Sequence, residues 1–468
     1  MLESLRISRR DFMRRAVVAA SAAGVGLSGL SCAGSQGFSA DKRPNIIVIV
    51  PDDLGYHDLG CQGCEDIPTP HIDSIAANGV RFTDAYVTAP VCSPSRAGLV
   101  TGTYQQRFGY EYNIGEPGEG EDPDPTRGIP QNIKNIAEYL QPAGYNTAAI
   151  GKWHLGLTDE YLPNNRGFDE FFGFRGGCIN YYEVDPPQSG DALAWYQDMY
   201  RNNKVIEEKE YLTDAFAREA EKFINKQNDE PFFMYLAFNA VHMPLQATQK
   251  YEARFEGKID DSTRLTYAAM TSAMDDAVGR VLKALENKGI TEDTLIFLVN
   301  DNGGPPDTGA SNAPLRGWKS RLYEGGIRVP VLMQWKGKIP AGMVYSEPVI
   351  SIDVVPTALA ATDIEPGKNV EGVNLLPYLT GDKTDAPHDM LFWRYGNVWA
   401  VRKGKWKALG RESTGIIALY NLEEDIREKN VAEQYPDKVK ELREEYLKWN
   451  SKNTEAAWPR PVNFPTVS

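Results

Sequence analysis

The chain has 468 residues, 42% of them apolar and 24% charged. With no low-complexity tract and no repeat period, this composition excludes a disordered chain or a solenoid and suits one large α/β domain beside a smaller one. The formal net charge of −14 excludes nucleic acid and anionic membranes as partners held by bulk attraction, and an anionic substrate would need local cations in a cleft. The five cysteines, Cys32, Cys61, Cys64, Cys92 and Cys178, are too few in a chain this long for a disulfide framework.

Residues 1–32 stand apart. Ser8-Arg9-Arg10-Asp11-Phe12 has the form of a twin-arginine export signal, and the apolar run of residues 16–31 is too short and too rich in Gly and Ala for a permanent membrane span. This predicts export from a bacterial cytoplasm to the periplasm or cell surface. Cys32 stands where a lipoprotein leader is cleaved and lipidated, but Gly29 holds the position of the usual Leu. A lipid anchor at Cys32 is the one membrane attachment expected, and the leader reads equally well without it.

Asn45-Ile46-Ile47-Val48-Ile49-Val50 is a continuous β-branched run, as in a parallel strand buried on both faces. Cys61-Gln62-Gly63-Cys64 has the spacing of a redox pair or half a zinc site, but no further zinc ligands have suitable spacing, which leaves ordinary loop cysteines, free or locally paired. Strands are expected over 147–150, 232–238 and 295–299, and helices over 133–140, 214–225 and 263–287. Alternation of the two predicts an α/β fold, a large mainly parallel sheet sandwiched by helices, over residues 41–368. From 369 to 468 short strands at 390–394, 398–402, 406–409 and 419–422 precede a charged helix at 436–449, which reads as a smaller α+β domain with an antiparallel sheet.

Ligands of such sheets bind beyond the carboxyl ends of the strands. Two strands here run into acidic or amide residues, Asp52-Asp53 and Asn300-Asp301-Asn302, which suggests a hard-cation site. The most specific motif is Cys92-Ser93-Pro94-Ser95-Arg96 with its extension to Gly102. It resembles the maturation signature, Cys-x-Pro-Ser-Arg, of the formylglycine-dependent sulfatases of the alkaline phosphatase superfamily. The resemblance spans residues 43 to about 422.

The resemblance implies an alkaline-phosphatase-like fold and a sulfuric ester hydrolase. A formylglycine-generating enzyme oxidises Cys92 before export, and one hydroxyl of the hydrated aldehyde, a gem-diol, attacks sulfur. Asp52, Asp53, Asp301 and Asn302, with an oxygen of the modified Cys92, would hold one Ca²⁺ or Mg²⁺, since all-oxygen ligands suit these ions. Arg96 would hold the formylglycine and a metal-bound carboxylate. Lys152 and His154 lie in Gly151-Lys152-Trp153-His154-Leu155-Gly156: Lys152 would neutralise a sulfate oxygen, and His154 would bond and deprotonate a gem-diol hydroxyl. His242, in Asn239-Ala240-Val241-His242-Met243-Pro244, would protonate the leaving alcohol, and Lys319 would bind sulfate. Glu324 and Arg328 would brace the Lys319 loop, while His57, His71 and His388 match no catalytic position.

Export and family together point to a sulfated carbohydrate, with loops 110–127 and 175–200 shaping its pocket. Phosphonate or phosphate ester hydrolysis by the same machinery is the alternative, and a catalytically inactive exported glycan-binding protein is a second. The missing His-rich ligand set speaks against a two-zinc phosphatase, and the retention of every motif position speaks against an inactive relative.

Overall fold

In the computed structural model, which describes residues 43–114, 127–182 and 198–459, the apolar run after Pro44 is a fully buried central strand. In chain order the strands are β1 (Asn45–Val50), β2 (Val80–Phe82), β3 (Ala85–Tyr86), β4 (Asn146–Lys152), β5 (Glu170–Phe174), β6 (Met199–Arg201), β7 (Lys204–Ile206) and β8 (Phe232–Ala237). There follow β9 (Thr294–Val299), β10 (Val331–Gln334), β11 (Met343–Tyr345), β12 (Val349–Ile350), β13 (Met390–Tyr395), β14 (Val398–Lys403), β15 (Trp406–Arg411) and β16 (Ile417–Asn421).

The large sheet has the order β11-β2-β10-β9-β1-β8-β4-β5-β6-β7. Its centre, β9-β1-β8-β4-β5, is parallel, while β10 pairs antiparallel with β9, and β6 and β7 add antiparallel at the far edge. Ile46, Val48 and Val50 of β1 face one core layer and Ile47 and Ile49 the other, which is why no polar residue interrupts the strand. The amphipathic helices Leu212–Lys226 and Ser262–Lys288 cover the second layer. Helices Cys92–Thr101 and Val354–Ala361 pack in the first. No described helix is long and apolar enough to cross a membrane.

The segment 133–140 is helical only over Ala137–Leu140. Asn135 Oδ1 accepts from the Ala137 N–H and Glu138 Oε2 from the Asn135 N–H, both at 2.8 Å, an exchange that starts the helix late.

The strands β13 to β16 form a separate antiparallel meander, and helix Pro436–Asn450 lies on it, with the Tyr446 ring stacked on Trp399 at 4.5 Å. Its residues share a core layer with β1, and Trp393 Nε1 donates to Val87 O at 2.7 Å. A buried ionic cluster adds to this joint. Lys407 Nζ on β15 lies 2.8 Å from Glu324 and 2.9 Å from Glu428, and all three side chains are secluded from solvent. Tyr86 OH donates to Glu324 at 2.6 Å, and Arg328 pairs with both Glu324 and Asp84. Glu324 opens the helical turn Glu324–Ile327 that follows the Lys319 loop, so the bracing role expected for Glu324 and Arg328 has a physical basis.

Two carboxylates share one lysine here. Burial raises both, but Lys407, Arg328 and Arg402 pull Glu324 down to about 2, while Glu428, buried and beside the Glu324 charge, is pushed up to about 7. A group raised in the folded state stabilises fully below its unfolded value, 4.5, and that contribution is lost as pH rises through about 7. The urea midpoint of the wild type is therefore expected to fall between pH 5 and 8, and Glu428→Gln to flatten this slope.

Candidate active site

Because β1, β4, β8 and β9 are parallel, their carboxyl ends open on one side, and every residue of the predicted constellation lies there or faces it. Asp52 and Asp53 follow β1, Lys152 ends β4 with His154 beyond it, His242 follows β8, and Asp301 and Asn302 follow β9. Cys92 is the first residue of helix Cys92–Thr101, where the helix dipole favours negative charge, and Arg96 lies one turn on. Lys319 reaches in from the loop before Glu324. All but His242 and Lys319 are almost wholly buried.

Local backbone geometry aims these groups. Asp53, His154 and Ser320 all have left-handed φ values (60°, 55° and 70°), a cost for residues with a Cβ that the surrounding contacts must hold in place. Gly151 has φ 102°, and a Cβ there would lie 1.9 Å from Ala237 O, so only glycine lets β4 pass β8 into Lys152. Asn300 ties the two acidic loops together, accepting from the Leu54 N–H at 3.2 Å and donating to Leu54 O at 2.7 Å.

The charges interlock. Lys152 Nζ donates to Asp52 Oδ2 at 2.6 Å, and Lys319 Nζ lies 2.8 and 2.9 Å from the two oxygens of Asp53. Arg96 Nε and Nη2 both reach Asp301 Oδ2 at 2.8 Å, and Nη2 lies 3.7 Å from Asp52 Oδ1. Asn302 Nδ2 donates to Asp53 Oδ1 at 2.7 Å, and the Asp53 N–H to Asp301 Oδ1 at 3.2 Å. Three carboxylates thus face three permanent cations.

Titration follows from this packing. Burial would raise the Cys92 thiol, but Lys152 and Lys319 outweigh it and hold it below its ordinary value. Burial and Asp52 push Asp301 up to about 6 despite Arg96 and Lys152. Burial, then Lys152 and Arg96, press His154 well below the usual imidazole range. Against burial and Lys319, the carboxylates of Asp53 and Asp52 and a bond to Cys92 raise His242. One histidine is thereby held neutral and the other favours its charged form.

Ligand atoms of Asp52, Asp53, Cys92 and His242 lie within 4.8 Å of one another. Asp52 Oδ1 and Asn302 Oδ1 are buried acceptors with no hydrogen-bond partner in the protein, a donor set that fits a hard cation. The structure brings His242 into this group of four, whereas Asp301 is not among them and is engaged by Arg96 and the Asp53 N–H.

Several residues outside the motifs complete the site. Ser93 Oγ donates to His154 O at 2.8 Å and meets Tyr110 OH at 2.6 Å, and the Ser93 N–H donates to Asn113 Oδ1 at 3.1 Å. Tyr181 OH donates to Asn239 O at 2.5 Å and His242 O at 2.9 Å. Tyr110, Asn113 and Tyr181 lie in the two loops expected to shape the pocket, but no motif singles them out, and tertiary packing brings them in. The remaining histidines lie elsewhere: His57 Nδ1 meets Gln62 O at 3.1 Å, the His71 ring packs on Gly279, and His388 pairs with Asp353 at 2.9 Å. Cys61 and Cys64 are free thiols, pushed up to about 12 and about 11 chiefly by burial, unlike a reactive pair. Of the two loops expected to shape the pocket, residues 115–126 and 183–197 lie outside the described residues.

Arg96 is the hinge of this balance. Arg96→Ala leaves Asp301 and Asp52 buried without their shared counter-ion and is expected to cost about 3–5 kcal/mol, measured by urea unfolding of the metal-free protein.

Comparison with known proteins agrees with this geometry. Residues 44–364 match the model of the family described as Sulfatase, and residues 317–452 match that described as N-sulphoglucosamine sulphohydrolase, C-terminal. The chain is 33% identical to N-acetylgalactosamine-6-sulfatase of Mus musculus over 396 residues, covering 81% of this chain and 74% of that protein. It is 34% identical to arylsulfatase A of Homo sapiens over 405 residues, covering 80% and 76%. Among solved structures, Ps i-CgsB in complex with k-i-k-neocarrahexaose is similar, with a TM-score of 0.81 and 37% identity over 89% of this chain and 95% of that one. The chain is a sulfuric ester hydrolase and belongs to the sulfatase family.

Proposed function

We propose that this sulfatase removes sulfate from a sulfated carbohydrate, using a formylglycine made from Cys92 and one Ca²⁺ or Mg²⁺ held by Asp52, Asp53, Asp301 and Asn302. The observation that carries the reading is the placement of Cys92, buried at a helix N-terminus, against Lys152, Lys319 and His242 within the acidic cluster. Support for a carbohydrate comes from N-acetylgalactosamine-6-sulfatase at 33% identity and from the oligosaccharide held by Ps i-CgsB at 37%. We further propose that the chain is matured by a formylglycine-generating enzyme and exported by the twin-arginine route, with its leader in residues 1–32, outside the described residues.

The hydrated aldehyde supplies both the attacking hydroxyl and, by returning to the aldehyde, the release of sulfate. A bound ion supplies positive charge beside the sulfate oxygens. The chain's own groups do the rest. Three carboxylates balance three cations in the protein alone, so a divalent ion leaves the site positive and matched to an anionic ester. Lys152 and Lys319 neutralise charge developing on the sulfate. His154, held neutral, accepts a proton from the hydroxyl at position 92. His242, whose charged form is favoured, donates one to the departing alcohol oxygen. Arg96 fixes Asp301 and Asp52 in register.

The test is to coexpress the protein with a formylglycine-generating enzyme and take a mass spectrum of the tryptic peptide of residues 82–96. The expected result is an aldehyde at position 92 in a sample that releases sulfate from sulfated glycans far faster than phosphate from aryl phosphates, with Cys92→Ala inactive. Full activity with an unmodified Cys92 would falsify the mechanism. Turnover of aryl sulfates with none of a broad glycan panel would remove the carbohydrate assignment.

Ion binding has its own readout. Calcium at about 100 times its Kd is expected to stabilise the fold by about 2.7 kcal/mol, seen as a rise in Tm that EGTA reverses. Asn302→Leu, which removes an unpartnered acceptor, is expected to abolish that rise.

A further inference from the structure

Five buried side-chain atoms without a hydrogen-bond partner in the protein lie on residues of the site: Asp52 Oδ1, Arg96 Nη1 and Nη2, His154 Nδ1 and Asn302 Oδ1. Each belongs to a residue that the family motifs supply. Asn239 carries the same signature twice. It is 2% exposed, and neither its Oδ1 nor its Nδ2 has a partner in the protein. A buried amide left unpaired lowers stability, so its retention calls for an explanation.

The strand pattern says where this amide points. Along β8, Phe233, Tyr235 and Ala237 face one core layer, and Phe232, Met234 and Leu236 the other. Past the strand, Phe238 and Ala240 on either side of Asn239 both lie in the second layer, as does Val241. Asn239 therefore faces the first, the side on which Tyr235 lies beside Arg96. Its backbone is pinned among the site residues. The His242 N–H and Tyr181 OH both donate to Asn239 O, at 2.9 and 2.5 Å. The adjoining Ala240 and Val241 exchange backbone hydrogen bonds with Asp52 at 2.9 and 2.7 Å.

We infer that Asn239 is a further substrate contact, whose Nδ2 donates to an oxygen of the bound sulfate group. An amide nitrogen is a donor and cannot hold a cation, so the group it meets must accept. Asp53 and Asp301 are engaged by Lys319 and Arg96, the free oxygens of Asp52 and Asn302 make no bond with Asn239 and are the ones assigned to the cation, and the acceptors that this reaction brings are the sulfate oxygens. The inference rests on the reading of this site as the one that binds the sulfate ester, and it adds a neutral, rigid donor to a set otherwise made of charged ones.

The experiment uses the matured, calcium-loaded full chain and a small aryl sulfate. Asn239→Ala is expected to lower kcat/KM by about 100- to 1000-fold, the range for removing one donor to a charge that develops in the reaction. Inhibition by inorganic sulfate weakens with it, while Tm is unchanged or higher because an uncompensated amide has gone. Asn239→Asp, of the same size but acceptor-only and anionic, is expected to lose more. Activity of Asn239→Ala within about threefold of wild type overturns the assignment, taking that hundredfold lower bound as the reference. So does a loss of activity matched by a fall in Tm, which marks scaffolding. Should the wild type itself show no turnover, the reading of the site fails separately, and calorimetric titration of inorganic sulfate into wild type and Asn239→Ala decides on Asn239: equal affinities overturn it.

Discussion

Burying carboxylates is the constraint on which this structure turns. Moving one from water into a protein interior costs several kcal/mol unless a counter-charge and hydrogen bonds come with it. Asp52, Asp53 and Asp301 are all buried, and each is met by a cation from a different part of the chain: Lys152 from β4, Lys319 from a loop some 170 residues later, and Arg96 from a helix. The parallel sheet exists in a form that lets four strand ends converge. The left-handed residues and Gly151 are local prices of that convergence. The same balance leaves Asp52 Oδ1 and Asn302 Oδ1 as buried acceptors without a partner in the protein.

Much of this was legible in the sequence because the signals were local. The β-branched run of 45–50 could be little else than a central strand, and the amphipathic pattern of 263–287 matches a helix at 262–288. Motifs around Cys92, Lys152, His242 and Lys319 carried enough specificity to name most of the site. Other features depended on partners far away in sequence. The edge strands β2, β10 and β11 are short and gain identity only by pairing with one another and with β9. The side chains of Asn135 and Glu138 accept from the N–H groups of Ala137 and Asn135 where a helix looked continuous. Tyr110 and Tyr181 lie in loops expected to shape the pocket, but they reach the site through hydroxyls on otherwise apolar side chains, and no motif singles them out.

The C-terminal meander is tied to the site by charge as well as by core packing. Lys407 and Arg402 project from β15 and β14 into the cluster of Glu324, Asp84 and Tyr86, and Glu324 begins the turn just after Lys319. Arg316, three residues before Lys319, stacks over Tyr323 at 4.0 Å and reaches Glu428 O at 3.3 Å. The Lys319 loop is therefore clamped on both sides by groups with no part in the chemistry, which is how a flexible side chain keeps a fixed aim.

The burial of Cys92 also sets an order in time. Its side chain is 1% exposed, enclosed by the helix it begins and by four strand ends that come from most of the chain's length. Under the proposed maturation, an enzyme that oxidises this thiol would have to meet the segment before β9 and the Lys319 loop have closed around it. On the maturation proposed above, oxidation and folding would compete for the same chain, and the yield of working enzyme would become a ratio of two rates.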